Sequence, residues 1–127
     1  MTNSHPLNIE TIRLKVEERI GNYALGFYKK NPNSDSESFI VKYVGRSDSI
    51  LKTEIIQQGI KLKVKKDGTP KFTYFKFCYM TNIIAAYQKE CSDYHEFCDK
   101  STNIKHPERP KGMNKVILPC PKLTCKD

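Results

Sequence analysis

Two aromatic and β-branched runs, separated by a polar loop of turn formers, leave this chain little choice but a β-hairpin. The first run, residues 22–28, reads Asn-Tyr-Ala-Leu-Gly-Phe-Tyr, and the second, residues 38–44, reads Ser-Phe-Ile-Val-Lys-Tyr-Val. Branched and aromatic side chains pack well on a pleated surface and poorly in an isolated helix. Between the runs, Asn31-Pro-Asn-Ser-Asp-Ser-Glu37 collects residues that bend the backbone or hydrogen-bond to it locally. Gly45 is read as the stop of the second strand, permitting a sharp turn into the next helix.

The flanking segments change period. Residues 8–19 place Ile9, Ile12, Val16 and Ile20 at helical spacing, and Gly21 is the expected stop. From Ser47 to Gln58, the residues Ile50, Leu51, Ile55 and Ile56 mark one helical face, and Gly59 should end it. Lys61-Leu-Lys-Val-Lys65 alternates, which puts Lys61, Lys63 and Lys65 on one face of an extended segment before the Asp67-Gly68 turn. Residues 71–80 carry Phe72, Tyr74, Phe75, Phe77 and Tyr79 and read as another strand. Thr81 or Asn82 can cap a helix to about Phe97, containing Ile83, Ile84, Tyr87, Cys91 and Tyr94. Beyond Asp99, Pro107, Pro110, Pro119 and Pro121 imply an irregular tail that also holds Cys120 and Cys125. The expectation is one α+β domain over residues 1–127, a small antiparallel sheet of about three strands flanked by helices, with a core at 19–110 and a tail at 111–127.

Bulk properties narrow the function classes. Hydrophobic residues make up 38% of 127, enough to build a core and to exclude a wholly disordered chain. No apolar run approaches the ~20 residues of a membrane span, and residues 1–13 lack a signal-type stretch, so no membrane partner and a cytoplasmic location are expected. Lys plus Arg number 22 against 14 Asp plus Glu, a formal charge of +8 that attracts polyanions. The odd count of five cysteines argues for reduced thiols rather than a disulfide scaffold.

The most informative constellation is a tyrosine beside a glycine on each hairpin strand. Gly21-Asn-Tyr23 opens the first strand, Tyr43-Val-Gly45 closes the second, and Arg46-Ser-Asp48 introduces the next helix. Downstream, Glu90 lies on the later helix, and Asn103-Ile-Lys-His-Pro-Glu-Arg-Pro110 follows it. In this order the pattern resembles the GIY-YIG nuclease superfamily over residues 19–110. The resemblance implies one-metal hydrolysis of a phosphodiester, with DNA as the substrate class. Tyr23 and Tyr43 would handle the attacking water, Glu90 would hold Mg (or Mn), Arg46 or Lys52 would face the phosphate, and Asn103 would support the site. A hard divalent ion prefers carboxylate oxygen and water, and it offsets charge on the transferred phosphorus.

One departure bears on catalysis. The arginine that the resemblance implies on the helix after the second tripeptide should fall near Thr53 or Glu54, and Ile50-Leu-Lys-Thr-Glu-Ile55 has none. A nucleic-acid-binding or protein-interaction module that keeps the fold without cutting is therefore the alternative. A core of this size carries no separate sequence-reading domain, so a protein partner supplying selectivity is a further expectation. Two additional sites are readable. Lys61, Lys63 and Lys65 could track a phosphate backbone. Cys91 and His95, four apart on one helix, could close a structural zinc site with Cys120 and Cys125.

Overall fold

The computed structural model describes residues 3–62 and 71–98. The elements run β1 (Ser4–Pro6), α1 (Ile9–Lys15), β2 (Gly21–Lys30), β3 (Glu37–Ser47), α2 (Leu51–Glu54), a π-helical turn (Ile55–Gly59), α3 (Ile60–Leu62), β4 (Tyr74–Tyr79), α4 (Ile83–Asp93) and a second π-helical turn (Tyr94–Cys98). The strands form one antiparallel sheet in the order β1-β4-β2-β3. The α+β class and the hairpin stand, with four strands in place of about three. The added strand, β1, is three residues long and ends in Pro6. It is too short to show alternation, and it pairs only with β4, at the edge where a proline is tolerated.

The hairpin register sets everything near the site. Tyr23 lies opposite Gly45, Leu25 lies opposite Tyr43, and the ladder shifts between Leu25 and Gly26. Contrary to the expected stop, β3 runs through Gly45 to Ser47, so this glycine makes no turn. A Cβ at Gly45 would stand 2.4 Å from Cζ of Tyr23. The bare backbone of Gly45 is what the ring of Tyr23 lies against.

Period-two alternation then builds two apolar layers. Tyr23 and Leu25 join Leu7, Ile12, Leu51, Ile55 and Phe75 in the main buried cluster, under α1 and α2. Ala24 and Val44 face the other way, against Val41 and Tyr94. Asn22, fully buried, donates from Nδ2 to the carbonyl of Ala86 at 2.9 Å and ties β2 to α4.

The helices depart from expectation where tertiary contacts compete with periodicity. Asn8 caps α1 by accepting from the Thr11 amide at 2.8 Å, but α1 ends at Lys15 rather than continuing to Arg19. Arg19 is held elsewhere: its guanidinium lies 4.4 Å above the ring of Tyr79, and its carbonyl accepts from the Leu51 amide at 2.7 Å. The second helical stretch begins at Leu51, because Arg46 and Ser47 still belong to β3. It does not stop at Gly59, which is buried beside Leu7 and Ile55. Helix α3 follows and includes Lys61, so the extended alternation proposed for the lysines fails at its first residue. Lys63, Lys65, Asn103, Cys120, Cys125 and the tail lie outside the described residues. Helix α4 begins as read, with Asn82 accepting from the Ala85 amide at 2.8 Å. Among the described residues no helix is long and apolar enough to cross a membrane.

Replacing Gly45 with alanine should force the Tyr23 ring out of place. The expected cost is about 1–3 kcal/mol, typical of overpacking, read as a lower urea midpoint with an unchanged slope. An unchanged midpoint would show that the ring and the glycine are not in contact.

Candidate functional site

At the C-terminal end of β3, the successive residues Gly45, Arg46, Ser47, Asp48 and Ser49 line an open cleft of about 380 Å³. Tyr23 and Tyr43 enter it from the hairpin, Glu54 from α2 and Glu90 from α4. Of the residues assigned from sequence, Tyr23, Tyr43, Arg46 and Glu90 therefore meet in one place. Lys52 is not part of the lining. With about 100° per helical residue, a side chain two positions from the inward-facing Glu54 points largely away.

Each side chain arrives for a local reason. Tyr23 and Tyr43 are diagonal neighbours across the β2–β3 ladder, with ring centroids 6.2 Å apart. Tyr23 is 1% exposed, whereas Tyr43 is only partly buried. Arg46 pairs in register with Asn22. Asn22 anchors α4 at Ala86, and Glu90 lies one turn further along that helix, so the anchor brings Glu90 to Arg46. The guanidinium of Arg46 donates to Oε1 of Glu90 and, through Nε, to Oδ1 of Asp48 at 2.9 Å. It also sits 5.2 Å from the ring of Tyr87. Arg46 was read as introducing the next helix; it is instead the last but one residue of β3, clamped between two carboxylates.

The local charge runs against that of the whole chain. Three carboxylates, Asp48, Glu54 and Glu90, share the lining with one guanidinium, although the chain carries +8. Burial pushes the Glu90 carboxyl up to about 7, opposed by the pull of Arg46. Burial also raises Glu54, with the hydrogen bond from Tyr23 opposing it. Both phenols are raised, again chiefly by burial, and the nearby glutamates add to it. Neither phenol is thus a ready base near neutral pH while the cleft stays this negative. Such a cleft favours a cation. No group of three or more His, Cys, Asp or Glu side chains among the described residues forms a ready metal cage. Magnesium needs only one or two carboxylates and keeps several waters, which an open cleft can supply.

Sequence reasoning missed two lining residues. Glu54 was noticed only as the place of an absent arginine, and Asp48 only as a helix introducer. Their positions on the turn and on the first helical turn after Tyr43-Val-Gly45 were the available signal.

Of the zinc set named from sequence, Cys120 and Cys125 lie outside the described residues. Cys91 is fully buried and disulfide-bonded, so its sulfur offers no thiolate to zinc, and the expectation of reduced thiols does not hold there. His95 lies in the π-helical turn that continues α4 without a break, so it and Cys91 share one helical stretch as read. Cys78 is a free thiol.

The raised Glu90 carboxyl has a thermodynamic signature. Its folded pKa, about 7, exceeds its ordinary 4.5, so between these values the native state binds more protons than the unfolded chain. Stability should therefore fall as pH rises from about 4.5 to 7 and level off above, with Glu54 adding in the same direction. Urea midpoints at pH 5 and pH 8 should show this drop, and Glu90→Gln should remove much of it. An identical drop in the variant would remove Glu90 as its source. No family model matches this chain, and neither the curated proteins nor the solved structures contain a match.

Proposed function

We propose that this chain is a metal-dependent endonuclease domain of the GIY-YIG type, hydrolysing phosphodiesters of DNA. The observation that carries the reading is the convergence of two hairpin phenols, a strand arginine and a helical carboxylate on one cleft. Tyr23 comes from β2, Tyr43 and Arg46 from β3, and Glu90 from α4. The charge balance of the chain suits the substrate, since +8 overall draws in a polyanion.

A magnesium or manganese ion would be held by the carboxylate of Glu90 with water completing its shell; Glu54 and Asp48 share the lining but do not close on one point with it. When bound, the ion supplies charge neutralisation at the scissile phosphate. The chain's own residues do the rest. Arg46, held by Asp48, keeps a guanidinium in the cleft, where it can pair with a phosphate oxygen once Glu90 is otherwise engaged. Tyr43 is the phenol accessible to a water, and Tyr23 stands behind it.

A second reading has its own observation. Glu54 lines the cleft where the resemblance implies an arginine, so a module that binds nucleic acid without cutting it is the alternative. Incubation with plasmid and branched DNA, with and without magnesium or manganese, separates the two. Cleavage should require the ion. Glu90→Gln should lower it by roughly 10²-fold or more while the protein remains folded by circular dichroism. Equal cleavage by wild type and variant would point to a contaminant. A salt-sensitive gel shift without cleavage would favour the silent module.

A further inference from the structure

The two phenols occupy unlike positions. Tyr23 is 1% exposed, its ring laid against Gly45, where an added Cβ would stand 2.4 Å from Cζ. Tyr43, its diagonal neighbour at 6.2 Å between centroids, is the more accessible of the two. Behind the pair stands Glu54, whose Oε1 accepts from the Tyr23 hydroxyl at 3.5 Å. Arg46, the cation of the cleft, makes its ion pairs with Asp48 and Glu90. Among the described residues no ion pair is formed by Glu54, which leaves its carboxylate to the phenol.

We infer that Glu54 is a positioning residue, which holds Tyr23 as the inner member of a phenol pair so that Tyr43 is the member that meets the reactants. The inference rests on the nuclease reading for the reactants, but the clamp itself is a property of the folded chain. The arrangement follows the logic of a base oriented by a third group. A buried hydroxyl needs an acceptor, and two flank Tyr23: Glu54, 3.5 Å away on α2, and the Tyr43 hydroxyl. Tyr23 in turn braces the ring of Tyr43 through the β2–β3 register. The phenol of Tyr23 is raised chiefly by burial, with the Tyr43 and Glu54 charges adding to it, so its hydroxyl keeps its proton.

The test combines kinetics with tyrosine-ring NMR on the whole chain, labelled at the ζ carbon. Glu54→Ala should lower kcat by roughly 10–100-fold, as expected for a misplaced reacting group, with KM unchanged. Glu54→Gln, which still accepts a hydrogen bond, should recover most of the activity. The double variant Tyr23→Phe, Glu54→Ala should be no slower than Tyr23→Phe alone, because the two act as one unit. Tyr43→Phe should be the more damaging of the two phenol substitutions. The Tyr23 resonance should move in Glu54→Ala and stay in place in Glu96→Ala, a substitution on the exposed surface. Additive losses in the double variant, or a Tyr23 resonance unmoved by Glu54→Ala, would overturn the inference. Failure of the nuclease reading would show separately, as wild-type protein that cuts nothing. In that case the moved or unmoved Tyr23 resonance still decides the clamp.

Discussion

The ring of Tyr23 lying across the backbone of Gly45 is the contact on which the rest of the site depends. It can form only if β2 and β3 pair with these two residues opposite each other, and a one-residue slip would send Tyr23 to the wrong face. The same register puts Asn22 opposite Arg46 and places Tyr43 diagonally beside Tyr23. Asn22 then anchors α4 through Ala86, and one turn later α4 delivers Glu90 to Arg46. A single strand pairing thus determines where two phenols, a guanidinium and a carboxylate end up.

The electrostatics follow from that geometry. Arg46 and Glu90 are both largely buried, with side chains 10% and 13% exposed, so neither could be left there alone at low cost. Asp48 and Glu54 add negative charge beyond what one guanidinium offsets. Among the described residues the cleft is thus lined by more acidic than basic side chains, in a chain that carries +8 overall. A phosphate meets favourable charge there only when a cation accompanies it. Glu90, held by Arg46 and pushed towards its neutral form by burial, is poised between these partners.

Much of this was legible in the sequence, and the reasons are specific. The hairpin was readable because two β-rich runs flank a loop of turn formers, and α4 because Asn82 precedes a periodic apolar face. Tyr23, Tyr43, Arg46 and Glu90 were picked out on a resemblance, and the structure places all four in the lining of one cleft. What failed was decided by contacts distant in sequence. Periodicity could not show that Arg19 leaves the helix for Tyr79, that Gly59 sits inside a continuing helical stretch, or that Lys61 is helical. Gly45 misled because a glycine at a strand end suggests a turn, whereas its partner is a ring 22 residues earlier in the chain. Glu54 was passed over because it was measured against the arginine that the resemblance implied rather than for what a carboxylate beside Tyr23 does.

The central claim is that this cleft is a divalent-cation site formed by Glu90 beside the phenol pair. Crystals of the protein soaked in manganese test it most directly through anomalous scattering. The account predicts a peak at ligand distance, roughly 2.0–2.2 Å for such small divalent ions, from a carboxylate oxygen of Glu90, within reach of Tyr43 by way of bound water. A cleft without such a peak, with Glu90 still engaged only by Arg46 at saturating manganese, would contradict it.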